Sequence, residues 1–127
     1  MSDLLRKGRL SSVKKDAVKY TSSIKHDNKL LRHVMAINKA HVVMLLENEI
    51  IKKEEGTLIL DALTRLDSKI KLRPDVEDIH MLVEEEVTKT VGMDIGGNLN
   101  LAKSRNDQVA TAIRMALRNE ILDLTKS

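Results

Sequence analysis

The stretch of this chain best equipped for chemistry is Ser104-Arg105-Asn106-Asp107-Gln108. It follows the Gly96-Gly97 segment and opens an apolar-patterned run, so it reads as a helix start. A helix start leaves backbone N–H groups unpaired at the positive end of the helix dipole, which makes it a natural anion site. Arg105 would add a planar donor set matched to a carboxylate, and Asn106 a donor and an acceptor in the same turn. The ligand implied is a small carboxylate or phosphate. From pattern alone a plainer use comes first: Ser-x-x-Asp from Ser104 to Asp107 has the spacing of a capping box, which would leave Arg105 and Asn106 as surface residues.

Three other places carry titratable groups. His80 stands one position off the apolar stripe Ile79, Val83, Val87, at the edge of a buried helix face, where a lone histidine is first a structural residue. His41 lies within an apolar stretch and reads the same way. Asp27 and His26 follow Thr21-Ser22-Ser23 near another helix start, again a capping cluster before anything else. No spacing of the His-Glu-x-x-His kind and no glycine-rich phosphate loop is present, and without cysteine there is neither a thiolate nucleophile nor a cysteine-based zinc site.

The elements that must position these groups are helices. Leu30, Val34, Ile37, Met44 and Ile51 recur at helical spacing and predict a long helix from Ile24 to about Ile51, apolar all round between Val42 and Leu46. A second helix is expected from about Lys53 to Lys71, with Ile59, Leu63, Leu66 and Ile70 on one side and a short link that makes the two an antiparallel pair. Pro74 breaks the pattern, and Asp75 can cap a third helix over about Val76 to Val91. Gly92 to Leu101 reads as a flexible loop. The last helix, from about Ser104, carries Val109, Ile113, Leu117, Ile121 and Leu124 and is still running near Ser127 with no capping glycine or proline.

Composition agrees. Hydrophobic residues make up 42% of 127 positions, enough for a core, yet Tyr20 is the single aromatic residue, so the interior must be aliphatic. One Pro and five Gly are too few for the turns of a β protein. The fold class expected is therefore all-α. The 22 basic and 19 acidic residues give a net charge of +3, too even a balance for a dedicated nucleic-acid surface. No segment approaches the roughly 18 apolar residues of a membrane span, and Met1 to Leu10 lacks a signal-peptide core, so a cytoplasmic location is expected.

Together these segments resemble the argininosuccinate lyase family of the fumarase/aspartase superfamily, over nearly the whole chain. Ser104 to Thr111 with the preceding Gly96-Gly97 is similar to the family's first shared active-site segment. Asp78-Ile79-His80-Met81 with Glu84 is similar to its Glu-Asp-(Val/Ile)-His stretch, Ala40-His41 with Met44-Leu45 to its Ala-His segment, and Ser23 with Asp27 to its substrate loop. The chain departs from the family at Leu5-Arg6-Lys7-Gly8-Arg9, where a tryptophan-glycine-glycine-arginine opening is usual, and at Asn100 and Lys103, where histidine and arginine are usual.

The resemblance implies a multi-helical N-terminal domain of a homotetrameric lyase that splits argininosuccinate into arginine and fumarate by β-elimination, with no metal and no organic cofactor. It further implies that Ser23 and Asp27 contact the arginine side of the substrate, that Ser104, Arg105 and Asn106 hold the carboxylates of the fumarate part, and that His80 lines the same pocket. The family's base serine and partner histidine would lie beyond Ser127, as would its central helical bundle and C-terminal domain, and the 127 residues alone would be inactive. Two rival readings are another fumarate-releasing lyase, such as an adenylosuccinate lyase or an aspartase-like enzyme, and a non-catalytic helical interaction module.

Overall fold

A computed structural model describes Ile24, residues 27–67 and residues 69–127. Among these the chain is built of helices and turns, with no strand. A 3-10 turn, Asp27–Leu30, leads into α1 (Leu31–Glu47); α2 (Lys53–Leu66) and α3 (Ile79–Val91) follow. A short helix α4 (Met93–Gly96), a second 3-10 turn (Gly97–Asn100) and the long α5 (Arg105–Lys126) complete the order. None of these helices is long and apolar enough to cross a membrane.

The all-α expectation holds, and the structure corrects several boundaries. The first long helix is a 3-10 turn followed by α1, which ends at Glu47; Glu49 then takes a positive φ of 54° to turn the chain, so Ile51 belongs to the link. The second helix stops at Leu66 rather than Lys71. The third begins at Ile79, not Val76, and its cap is Asp78 rather than Asp75: Asp78 adopts an extended backbone and its carboxylate accepts from the Met81 N–H at 2.8 Å. Asp75 lies instead beside Arg73, at 3.8 Å.

The segment Gly92 to Leu101, expected as a flexible loop, is ordered as two helical turns. Gly92 ends α3 at φ 90°, a conformation open to glycine. Gly96 is needed for contact and not for flexibility: a Cβ there would fall 2.9 Å from the backbone Cα of Thr88, so α4 lies directly on α3. Leu99 then plugs the core with no exposure.

That core is aliphatic and centred on α3. Val34, Met35, Val42 and Leu45 of α1, Ile59 and Leu63 of α2, and Ile79, Leu82, Val83 and Val87 of α3 are all buried. Burial on α1 follows Val34, Met35, Asn38, Val42 and Leu45, while Val43 faces solvent, so the helix is not buried all round in its second half. α3 is enclosed on most of its circumference, with Ile79 through Glu85 buried without interruption. α5 is the opposite case. Only Gln108 and Ala112 are buried, and the stripe Ile113, Leu117, Ile121, Leu124 is exposed.

Candidate functional site

The first turns of α3 and α5 meet, and the meeting point carries the charges. Arg105, the first residue of α5, places Nη2 between both oxygens of Glu84, 2.9 Å from Oε1 and 3.0 Å from Oε2. Its Nη1 lies 3.6 Å from Asp78 Oδ1, too far for a hydrogen bond, and is left buried with no hydrogen-bond partner among the described residues. Lys103, just before α5, donates to Asn38 Oδ1 of α1 at 2.5 Å and is close enough to Glu84 to feel its charge. Asp27 closes the cluster from the 3-10 turn, where its Oδ2 accepts from the Ile79 N–H at 3.2 Å. Asp27 thereby serves the start of a helix 52 residues away.

His80 sits inside this group. It is 2% exposed, deeper than the helix-edge position expected, because α3 is covered on nearly every side. Its Nδ1 has no partner among the described residues. Burial lowers the basicity of the ring; Asp78 pulls the other way, and Arg105 adds to the lowering. Glu84 is shifted upward, again by burial first, against the opposing pull of Arg105. Lys103 is lowered to about 8 by burial, despite Glu84.

These shifts set a pH dependence. For His80 the folded-state value lies below the ordinary 6.5, so the unfolded chain takes up the proton first and this contribution to stability is lost as pH falls below 6.5. Glu84 acts in the opposite sense, because its folded-state value lies above 4.5 and acidification toward that value favours the folded chain. Replacing His80 by Gln isolates the first effect. The expected result is a smaller drop in melting temperature on acidification below pH 6.5 than the parent shows, measured by circular dichroism; equal drops would mean that His80 titrates normally.

Among the residues expected at a site, the structure brings Asp27, His80 and Arg105 together. Ser104 and Asn106 are both exposed, and Ser104 lines an open groove of about 570 Å³ between α1 and α5 that Ile37, His41, Lys103, Asp107 and Gln108 also line and Arg105 does not. Ser104 precedes the helix with an extended backbone, and Asn106 follows Arg105 by about 100° around it, so neighbours in sequence part company here. Ser23 lies outside the described residues. The capping-box reading of Ser104 to Asp107 is not realised, since Ser104 occupies the cap position with an extended backbone but makes no side-chain capping bond. His41 is structural, its Nε2 lying 2.7 Å from the Leu101 carbonyl.

Sequence reasoning passed over Glu84 and Lys103 as members of the site. Glu84 follows His80 by one helical turn, so the i, i+4 spacing put it on the same face; what was missing was that α3 is buried there.

An all-α chain with a carboxylate-lined arginine where two helix starts meet finds its class in the comparisons with known proteins. The model of the family described as Lyase matches residues 9–127, and the chain belongs to that family. Among curated proteins it is similar to the argininosuccinate lyase of Methanocaldococcus jannaschii, 41% identical over 98% of this chain and 27% of that protein. It is 44% identical to the argininosuccinate lyase of Methanosphaera stadtmanae, over 92% of this chain and 26% of the relative. With the argininosuccinate lyase of Methanococcus vannielii the identity is 36%, over 98% and 27%. The chain spans about a quarter of the length of the curated relatives it matches.

Proposed function

We propose that this chain is the N-terminal, substrate-binding part of an argininosuccinate lyase, which cleaves argininosuccinate to arginine and fumarate by β-elimination. In that reaction a proton leaves the succinyl carbon next to the one bearing nitrogen, the carbon–nitrogen bond breaks, and the departing guanidino nitrogen keeps the electron pair and is reprotonated as arginine. The observation that carries the reading is Arg105: held by Glu84, its guanidinium stands partly exposed at the start of a 22-residue helix whose cap residue, Ser104, makes no side-chain capping bond. A substrate carboxylate docking there meets the accessible part of the guanidinium and unpaired backbone N–H groups at the same place.

In this reading Arg105, with Ser104 and Asn106 at the helix end, holds the carboxylates of the fumarate part. Ser23 and Asp27 serve the arginine side, and His80 lines the pocket. The serine that removes the proton and its partner histidine belong to the part of the enzyme that this segment does not cover, together with the long helices that assemble a cytoplasmic homotetramer. No metal or organic cofactor takes part.

A chimera tests this directly. Residues 9–127 replace the matched segment of the Methanocaldococcus jannaschii enzyme, and fumarate formation from argininosuccinate is followed by its ultraviolet absorbance. The chimera is expected to turn over and the 127-residue chain alone to be silent. A folded, assembled chimera without activity, or turnover by the short chain above a heat-killed control, would overturn the reading.

A further inference from the structure

Arg105 can bind a carboxylate productively only if something fixes the direction of its fork, and nothing on its own helix does so. The nearest exposed acid of α5, Asp107, lines the groove between α1 and α5, and no ion pair joins it to Arg105. The group that does hold it is Glu84, 21 residues earlier and on a different helix.

Three observations make that contact more than an ordinary ion pair. Both Glu84 oxygens engage the same nitrogen, Nη2, so the pair does not use the two-pronged match that an arginine and a carboxylate would otherwise adopt. Nη1 is thereby left without an acceptor, although the Asp78 carboxylate is only 3.6 Å away. Glu84 is itself immobilised, 7% exposed on the most enclosed helix of the fold and flanked by the cations Arg105 and Lys103.

We infer that Glu84 is a positioning residue: by gripping Nη2 of Arg105 from the buried face of α3, it fixes the plane of the guanidinium, whose solvent-facing part meets the substrate carboxylate. Glu84 does not touch the substrate. Its effect travels through Arg105, and the inference rests on the role given to Arg105 above.

The test uses the active chimera with Glu84→Gln, Arg105→Lys and the double variant. Glutamine keeps the shape but loses the charge and one acceptor, so the melting temperature is expected to stay close to the parent's while KM rises on the order of 10- to 100-fold, the scale of a small misplacement of a binding group. Because Glu84 acts through Arg105, the double variant is expected to be no worse than Arg105→Lys, whereas a purely structural glutamate would add its own loss. A parental KM for Glu84→Gln, or losses that multiply in the double variant, overturns the inference. Should Glu84→Gln fail to fold, Glu84→Asp keeps the charge and draws the carboxylate back by one methylene; a parental KM for that variant is equally fatal. The two readings fail separately. A silent Arg105→Lys sinks the carboxylate-binding role itself, whereas a damaged Arg105→Lys beside a silent Glu84→Gln sinks only the positioning role.

Discussion

Arg105→Lys in the chimera is expected to lower kcat/KM by an amount equivalent to about 2 to 5 kcal/mol, which is roughly 30- to 5,000-fold. Lysine keeps the charge but cannot hold Glu84 with one nitrogen and a substrate carboxylate with another, because its donors share a single nitrogen on a flexible stem. The loss should therefore appear in catalysis as well as in binding. A suitable control is Arg114→Lys, on the exposed surface of the same helix, with an expected change below about 0.5 kcal/mol. Lys103 does not serve as a control, since its ammonium is bonded to Asn38 and lies in the same cluster. A well-folded Arg105→Lys chimera with parental kcat/KM would reduce Arg105 to a structural ion-pair partner of Glu84.

The largest effect on stability is expected at Leu82. Its side chain is fully buried in the middle of α3, surrounded by helices that cannot all close on a vacated site, so Leu82→Ala should cost about 2 to 5 kcal/mol in urea unfolding of the 127-residue chain. A domain of this size is stable by only about 5 to 15 kcal/mol, so the shift in midpoint will be large. Ile113→Ala removes a branched aliphatic side chain from α5, but Ile113 is half exposed, and its cost should stay within about 0.5 kcal/mol. Equal costs at the two positions would mean that α5 is covered as fully as α3.

Periodicity located the helices because a 3.6-residue repeat is a property of the chain itself. It could not report depth. The stripes of α3 and α5 are both regular in sequence, yet Val83 and Val87 are buried while Ile113 and Leu117 are exposed, and the difference lies in how many neighbours each helix has. The same blindness explains His80, whose place at the edge of a stripe suggested partial exposure, whereas the first half of α3 is enclosed without interruption from Ile79 to Glu85. Caps were legible in kind and misplaced in position: Asp75 and Asp78 both suit a helix start, and only the path of the chain after Pro74 decides for Asp78. Gly96-Gly97 carried a signal that pattern alone reads wrongly, since glycine serves loose loops and tight contacts alike, and the backbone of Thr88 behind Gly96 selects the second. For the site, the helix start at Arg105 and the carboxylate chemistry suited to it were visible in residue types. The partnership with Glu84 was not, because no local rule pairs residues 84 and 105.

The unequal enclosure of α3 and α5 makes the site a vice with one fixed jaw. His80 and Glu84 ride on a helix, with Asp78 as its cap, whose rotation or translation would drag nine buried side chains out of register, so their positions are set before any ligand arrives. Arg105 belongs to the other jaw, carried by a helix with two buried residues and approached through Ala102, whose φ of 56° is the one positive value among non-glycine residues near the site. In the enzyme proposed above, the exposed stripe of α5 is free to meet helices outside this segment, so the second jaw is completed by that contact while the first is fixed from within.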